Sequence, residues 1–347
     1  MLTKLLLRIF ATILLLFAFN AEAKNSCASY KKDLANDQEY RVVFGDSGVG
    51  GLIFALDVEQ ELEPKLKALE AEYKVSFTFS HFGDSKNAPY GNKKPEEIRA
   101  LTTAFLEYLL NLPNTHSAII ACNTASTIYD TKMNNFFTDK YRDVQIITMI
   151  DDSAAELVKS SQDKNPYIAL MATPATINSG TYQNKIGELT KDKNIKLYSY
   201  APQNWIRNIE TGLDKNSAEF EVNSDLEAFR SKIGQDFSKI SAVGLFCTHY
   251  PFYKNQIQDF FNKNGNPDIT VLTQGHIFSD KIYANIEQNM NKFIYLKRTK
   301  KLPYDCTENI TINSELSGDN IEQTKEVISH THPQYFNKIS FKKVKIN

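Results

Sequence analysis

The chain has 347 residues, of which 42% are hydrophobic, and its formal net charge at pH 7 is −1. This length is enough for one large or two ordinary domains, and the hydrophobic fraction excludes global disorder. The near-neutral balance offers no basic field for nucleic acid, and four cysteines are too few for a disulfide scaffold.

The first 23 residues have the pattern of a secretory signal peptide. Lys4 and Arg8 give a positive start, 9–19 is an apolar run interrupted by one threonine, and Ala21-Glu22-Ala23 is an A-x-A-like cleavage site. The alternative is an uncleaved membrane anchor, but the apolar run is short for a span. We therefore predict a periplasmic or secreted protein with no stable membrane anchor after cleavage. A polar N-terminal lead follows at 24–40.

An exported protein meets an oxidising compartment. Cys27 and Cys306 lie near the two ends of the chain and are candidates for a disulfide, but the sequence does not decide whether they pair. Cys122 and Cys247 are also open to oxidation if they face each other closely.

From residue 41 onwards, apolar or β-branched runs alternate with helical patterns. Such alternation indicates parallel α/β architecture with sites at the carboxyl ends of the strands. The predicted strands are 41–44, 75–82, 117–121, 144–150, 167–171, 195–200, 240–246 and 269–272. The predicted helices are 52–69 with a break at Pro64, 95–110, one ending near 137, 152–161, 179–189, 202–236, one ending near 262, and 278–290. After 292 the pattern changes, and the candidate strands are 293–296, 310–312 and 339–344.

Two of the predicted strands are followed directly by a cysteine and then by short polar residues. Cys122 lies in AIIACNTASTIYD at 118–130, and Cys247 lies in AVGLFCTHYP at 242–251. A thiol that faces a helix N-terminus lies near free backbone N–H groups and the positive end of the helix dipole. We therefore expect a lowered thiol pKa at both positions, and the same N–H groups can hold a substrate carboxylate.

Two opposed thiols suit the inversion of a stereocentre. One thiolate can take a proton from a carbon while the other thiol gives one to the opposite face, without a cofactor. Asp46, at the end of the first strand, and His249, close to the second thiol, are placed to assist the transfers. A single strand-end cysteine is more often a small buried residue than a catalyst, but two copies followed by polar residues favour chemistry.

Five segments are similar to the cofactor-independent aspartate/glutamate racemases, most closely to the glutamate racemases. They occur in the family's order and cover roughly 41–290 of the chain, which makes the set specific although each segment alone is weak. The segments are FGDSGVGGL at 44–52, FGD at 82–84 with APYG at 88–91, ACNTA at 121–125, ATPAT at 172–176 and CTHYP at 247–251.

The resemblance implies an α/β fold of two pseudo-symmetric, doubly wound parallel-sheet domains with the active site between them. Domain 1 would comprise 41–145 and 274–298, domain 2 would comprise 146–273, and 299–347 would be a C-terminal extension. The resemblance further implies a small-molecule amino-acid substrate and neither a cofactor nor a metal. Members of the family commonly form homodimers.

The resemblance also assigns site residues. Cys122 and Cys247 would be the acid/base thiols, Asp46 and His249 would assist them, and Glu210 would be a further acidic residue. The residues implied to line the substrate pocket are Ser47, Pro89, Tyr90, Gly91, Asn123, Thr124, Thr173, Thr176 and Thr248. We therefore interpret the chain as an exported racemase that interconverts the L and D forms of glutamate or aspartate.

The chain departs from the usual family pattern in three features. It carries an export signal, it has Leu-Thr-Gln-Gly at 272–275 where the family often has Ile-Asp-Ser-Gly, and its tail after 298 is extra. Export argues against a role in supplying cytosolic D-glutamate for cell-wall synthesis and leaves the substrate open between glutamate and aspartate. The alternative function is a catalytically silent periplasmic protein that binds amino acids, a state that an oxidised Cys122–Cys247 pair would enforce.

Two hydrolase classes share the Gly-Asp-Ser-Gly found at 45–48, but their partner residues are missing. In serine proteases the histidine and aspartate precede the serine, and no histidine of this chain precedes residue 81. An exported esterase needs a late Asp-x-x-His, which none of the six histidines forms. The glycines near residue 48 fit neither a dinucleotide-binding motif nor a P-loop, so nucleotide binding is not expected.

Overall fold

The structure, a computed structural model, describes residues 27, 34, 37–161, 166–192, 194–212, 215–292, 296–307 and 310–345. The predicted signal peptide at 1–23, most of the lead at 24–40 and most of the predicted strand at 293–296 lie outside these residues. In the part of the chain that the structure describes, no helix combines the length and the hydropathy that a membrane span needs.

The elements alternate along the chain between strand and helix. The strands are β1 (Gln38–Asp46), β2 (Val75–Gly83), β3 (Thr115–Ile120), β4 (Gln145–Thr148), β5 (Tyr167–Met171), β6 (Lys196–Tyr200), β7 (Ile240–Leu245), β8 (Thr270–Leu272), β9 (Thr311–Leu316) and β10 (Ile339–Lys343). The helices are α1 (Gly50–Glu72), α2 (Pro95–Leu110), α3 (Asn123–Ser126), α4 (Thr131–Lys140), α5 (Ile150–Lys159), α6 (Pro174–Asn178), α7 (Thr181–Leu189), α8 (Trp205–Glu210), α9 (Lys215–Ile233), α10 (Lys254–Lys263), α11 (Gln274–Lys292) and α12 (Ile321–Thr331).

The strands form two parallel sheets. The first has the order β10-β9-β2-β1-β3-β4 and the second has the order β6-β5-β7-β8. Because parallel strands are buried on both faces, each sheet needs helices on both sides. In the first sheet α1 and α11 cover one face, and α2 and α4 cover the other. In the second sheet α8, α9 and α10 cover one face, and α5 and α7 cover the other. The predicted fold class of two doubly wound parallel-sheet domains is confirmed.

The C-terminal extension builds onto the first sheet. β9 pairs in parallel with β2, and β10 pairs in parallel with β9. Between them, α12 packs Ile328 against Leu52 and Ile53 of α1, while Val327 packs against the core of the second sheet. The extension therefore contacts both domains, which the sequence did not predict.

One predicted helix break is wrong. The sequence predicts that Pro64 interrupts the helix after the glycine-rich turn, but α1 continues through it to Glu72. Pro64 is exposed, whereas Leu62 and Leu66 on either side are buried in the core of the first sheet. These two leucines hold the helix against the sheet, and this burial offsets the backbone hydrogen bond that proline removes.

Two further boundaries differ from the expected ones. The stretch 202–236, expected to be helical, is divided into α8 and α9, and Gly212 lies between them with a φ of 68° that favours glycine. β4 pairs with β3, so residues 146–148 lie in the first sheet, although the sequence places them in domain 2.

The structure joins Cys27 to Cys306 in a disulfide. It ties the region before β1 to the start of the extension across a sequence separation of 279. Because this cross-link restricts the unfolded chain, replacing both cysteines by serine is expected to lower the free energy of unfolding by about 2–4 kcal/mol. Urea unfolding with and without a reductant measures the effect, and the serine variant should not respond to reductant. Identical midpoints for all four samples would contradict the stabilising role.

Candidate active site

The two free thiols occupy corresponding points of the two sheets. Cys122 follows β3 and Cys247 follows β7, and these strands hold the same place in the orders β2-β1-β3-β4 and β6-β5-β7-β8. In such sheets a crevice forms outside the carboxyl ends of the strands where the strand order reverses. Asp46 ends β1 and Thr173 follows β5, so each crevice carries one thiol and one polar side chain.

Cys122 is buried beside the glycine-rich turn. Its sulfur accepts a hydrogen bond from the backbone N–H of Ala125 at 3.5 Å, and its thiol lies 3.9 Å from the Ser47 hydroxyl. Burial, and after it the charge of Asp46, raises the pKa of Cys122 well above its ordinary value, and a charge on Cys247 acts in the same direction. The expected lowering at this thiol is wrong, because α3 has only four residues and its N–H groups do not offset desolvation.

Cys247 lies beside a histidine–carboxylate pair. Its sulfur is 3.9 Å from Nδ1 of His249, and Nε2 of His249 is 2.7 Å from Oε1 of Glu210. Burial acts to lower the pKa of His249, but its contacts with Cys247 and Glu210 outweigh burial and raise that pKa well above its ordinary value. These contacts favour the imidazolium form of His249, which donates to Glu210 and places a positive charge next to the sulfur. A 3-10 turn at Tyr250–Tyr253 separates this thiol from α10, so the expected α-helix N-terminus does not face it.

Asp46 connects the two domains. Its Oδ2 accepts a hydrogen bond from the Thr248 hydroxyl at 2.7 Å, and its Oδ1 accepts one from the backbone N–H of Ser47 at 2.6 Å. Burial raises the pKa of this carboxyl even though these bonds favour its charged form. Since its charge also raises the pKa of Cys122, Asp46 is placed to favour the protonated form of that thiol.

The glycine-rich turn allows α1 to approach Asp46 closely. A Cβ added at Gly51 would lie 2.4 Å from Cβ of Asp46, in a region with no room to relax. Gly51→Ala is therefore expected to lower the free energy of unfolding by about 1–3 kcal/mol. The matched control is Gly187→Ala in α7, where a Cβ meets nothing within 4 Å and should stabilise the helix slightly. Urea unfolding compares the two, and a Gly51→Ala protein as stable as wild type would refute this packing argument.

Three threonine hydroxyls connect α3 of the first domain to α6 of the second. Thr124 Oγ1 is 2.9 Å from that of Thr173 and 3.1 Å from that of Thr176, which are themselves 2.9 Å apart. Thr173 also caps α6 by accepting from the backbone N–H of Thr176. Gly91 packs directly on Thr173, since a Cβ there would be 2.7 Å from the threonine Cβ. These predicted pocket residues therefore meet in one buried cluster of hydroxyl groups.

Asn123 is fixed by two residues that sequence reasoning did not assign to the site. Its Oδ1 accepts from the Tyr182 hydroxyl at 2.6 Å, and its Nδ2 donates to Oε1 of Gln274 at 2.7 Å. Gln274 in turn donates to the Ser153 hydroxyl at 2.6 Å. The only sequence signal for this network was the departure from the family pattern at 272–275.

Tyr90 and Pro89 form the outer side of the site. Tyr90 is buried, which raises its pKa, and its hydroxyl donates to Oδ2 of Asp84 at 2.7 Å. Pro89 lines a cavity of about 940 Å³ together with Asp84, Glu210 and Asn320. Asp84 and Asn320 were not predicted as site residues, although Asp84 lies in the Phe-Gly-Asp segment that carried part of the resemblance.

The structure thus brings the predicted site residues together where the two domains meet. Asp46 contacts Thr248, Thr124 contacts Thr173, and Glu210 bonds both His249 and the backbone of the first domain at Val49. Their roles in catalysis and binding stay predictions. Among the residues with described positions, no group of three His, Cys, Asp or Glu side chains is arranged to hold a metal ion.

Comparison with known proteins identifies the family. A curated glutamate racemase of Clostridium novyi is 33% identical over 223 residues, which are 64% of this chain and 75% of that protein. The chain belongs to the glutamate racemase family. It is therefore an amino-acid racemase of the cofactor-independent class. No family model matches the chain.

Solved structures of glutamate racemases share the fold of this family member. The RacE1 isoform of Bacillus anthracis has a TM-score of 0.65 at 20% identity, over 89% of this chain and 98% of that one. The racemase of Francisella tularensis, solved in complex with D-glutamate, has a TM-score of 0.64 at 23% identity, over 90% and 98%. At these identities the likeness supports the shared fold alone.

Proposed function

We propose that this racemase interconverts L- and D-glutamate outside the cytoplasm, with Cys122 and Cys247 as its two acid/base groups. The observation that carries the proposal is the pair of free, buried thiols at corresponding strand ends of two pseudo-symmetric sheets. Each thiol has its own set of partners, a carboxyl on one side and an imidazolium on the other. Such a pair supplies an acid and a base at the same time.

The two environments suggest how protons move in one direction. The Cys247 thiolate, beside the His249 imidazolium, takes the α-proton as the Cα–H bond breaks. The Cys122 thiol, whose raised pKa keeps it protonated, gives its proton to the opposite face of the same carbon. The enzyme is left with a Cys247 thiol and a Cys122 thiolate, which is the form that acts on the other enantiomer. The starting form returns when the Cys247 thiol releases its proton to solvent and the Cys122 thiolate takes one up, so repeated turnover in one direction needs no external reagent.

The buried polar groups suit an acidic amino acid. The hydroxyls of Thr124, Thr173 and Thr176 and the amide of Asn123 are neutral groups that can donate hydrogen bonds to carboxylates. We favour glutamate because the Clostridium novyi relative is a glutamate racemase and the Francisella tularensis protein was solved with D-glutamate. Aspartate is the substrate that the experiment must distinguish from it.

Two features support a location outside the cytoplasm. The sequence carries the pattern of a cleavable signal at 1–23, and Cys27 pairs with Cys306 in a disulfide. Disulfides form and persist in oxidising compartments and are rare in the cytosol. A mature chain that begins after Ala23 in the exported fraction would support this location, and an unprocessed chain confined to the cytosol would refute it.

Circular dichroism of the reduced, mature protein with single enantiomers tests the activity. With no added cofactor, the signals of L- and D-glutamate should both decay to zero. Decay with L- and D-aspartate only would reassign the substrate. If the signals of all four enantiomers persist while ligand binding is measurable, the protein is a catalytically silent binding protein and the proposed activity is refuted.

A further inference from the structure

One segment of the extension lies along the outer side of the active site. It runs from Ser314, within β9, to the residue before α12 and carries three polar side chains spaced three residues apart, Ser314, Ser317 and Asn320. Each of them bonds a different residue of the two racemase domains. In each case the bonded residue itself contacts the glycine-rich turn or a predicted site residue.

The first contact fixes a buried histidine under the glycine-rich turn. Nε2 of His81 lies 3.2 Å from the carbonyl oxygen of Gly48, and Nδ1 lies 3.1 Å from the Ser314 hydroxyl. Burial lowers the pKa of His81 to about 3, so the ring is neutral. A carbonyl can only accept, so Nε2 carries the hydrogen and Nδ1 accepts from Ser314. Ser314 therefore selects the tautomer that holds the turn next to Ser47.

The second contact supports Tyr90. The Ser317 hydroxyl donates to Oδ1 of Asp84 at 2.7 Å, while Oδ2 of Asp84 accepts from the Tyr90 hydroxyl at 2.7 Å. Asn87 donates to both carboxylate oxygens. This buried carboxylate is thus shared between the extension and a predicted pocket residue.

The third contact reaches the group next to Cys247. Oε1 of Glu210 accepts from Nε2 of His249 at 2.7 Å and from the backbone N–H of Val49 at 2.8 Å. Oε2 accepts from Nδ2 of Asn320 at 3.2 Å. Among the described residues, Asn320 is the single hydrogen-bond partner of this oxygen. The extension therefore holds Oε2, the carboxylate oxygen of Glu210 that His249 does not contact.

We propose that Asn320 is a positioning residue of the racemisation reaction, acting through Glu210 on His249. The inference rests on the proposed function, since it assumes that His249 assists proton transfer at Cys247. The Asn320 amide is neutral, so it can hold the Glu210 carboxylate without neutralising the negative charge that pairs with His249. The extension, through this residue, is part of the active site rather than an appended domain.

The geometry explains why a single amide has this effect. Glu210 approaches the turn so closely that a Cβ on Gly48 would lie 1.9 Å from its Oε1, so the carboxylate has one productive position. Without Asn320, Oε2 loses its one described partner, and the carboxylate, which lines the adjoining cavity, can rotate away from His249. Small displacements of a proton-transfer group lower the rate strongly.

The test uses the full mature chain with Asn320→Ala and the control Gln334→Ala. Gln334 is an exposed amide of the same extension, and its one described side-chain bond is a donation to Gln60 at 3.3 Å, which is not a predicted site residue. Asn320→Ala is expected to lower kcat about tenfold with little change in KM, whereas the control stays near wild type. Because the equilibrium constant of a racemisation is one, kcat/KM must remain equal in the two directions for every variant.

Deuterium isotope effects separate positioning from a loosened fold. If proton transfer at Cys247 is slowed, that step limits the rate of racemisation in both directions. In one direction Cys247 removes the substrate's own hydrogen, whereas in the other direction it delivers a hydrogen that comes from solvent. The isotope effect with α-deuterated substrate should therefore rise for one enantiomer and fall for the other in Asn320→Ala. A general loosening would move both effects together or leave both unchanged.

Two further variants complete the test. In Asn320→Asp the protonated acid can still donate to Glu210, whereas the carboxylate repels it, so kcat relative to wild type should recover as the pH falls. Adding Asn320→Ala to His249→Asn should have no further effect, because the amide acts through the histidine. The inference would be overturned if the wild type is active but the two isotope effects of Asn320→Ala change together and the effects of Asn320→Ala and His249→Asn add. An inactive wild type would instead refute the proposed function.

Discussion

Replacing Cys122 or Cys247 by alanine is expected to lower the racemisation rate about a thousandfold while the protein still folds. In the proposed mechanism each thiol carries one of the two proton transfers, and the loss of a general acid or base typically costs two to four orders of magnitude, about 10²–10⁴. Both side chains are small and lie at the edge of a core, so their loss leaves only a small cavity. Initial rates by circular dichroism, with urea unfolding of the same samples, measure both quantities.

The remaining two cysteines supply the control for this experiment. A variant with serine at 27 and 306 has lost its disulfide but keeps both active-site thiols. At a temperature where it is folded, it should turn over at nearly the wild-type rate. If either alanine variant at the strand ends retained near-normal turnover, the two-thiol mechanism would be wrong.

His249→Asn is expected to lower kcat about a hundredfold, the second largest effect in this account. Asparagine keeps a polar group at this position but cannot carry the positive charge that the proposed mechanism places next to Cys247. Its removal also leaves Glu210 without its charged partner in a buried setting, where an unpaired carboxylate is costly. The measurements are kcat at several pH values and the free energy of unfolding.

The control for this variant is His276→Asn, which changes an exposed histidine that pairs with Glu61 on α1. It should leave kcat unchanged. Equal and negligible effects of the two substitutions would remove His249 from the acid/base machinery.

The strand-end thiols could be predicted from the sequence because their signal is local. An apolar run that ends in a cysteine and short polar residues places that cysteine at the carboxyl end of a buried strand. The order of strands in parallel α/β sheets then brings such ends together. The same logic located Asp46, which ends β1, whereas Thr173, which follows the equivalent strand β5, was implied only by the family resemblance.

The contacts that complete the site were not accessible in the same way. Asn123 and Gln274 are 151 residues apart, and Ser317 and Asp84 are 233 apart, so only tertiary packing joins them. The extension was recognised as extra, yet nothing in its local pattern showed that β9 would pair with β2 beside the active site. The pKa of Cys122 was misjudged because a helix N-terminus is visible in a sequence, whereas the depth of burial is not.

The measurement that tests the two-sided mechanism most directly is racemisation in D₂O, starting from a single enantiomer with hydrogen at its α-carbon. After low conversion, the enantiomers are separated and their deuterium content is measured by mass spectrometry. The two-thiol mechanism predicts that the product carries deuterium from the opposing thiol, which exchanges with solvent, while the unreacted substrate retains its hydrogen. A product that retains the substrate's hydrogen would mean that a single group carries the proton across the carbon, and would contradict the two-thiol mechanism.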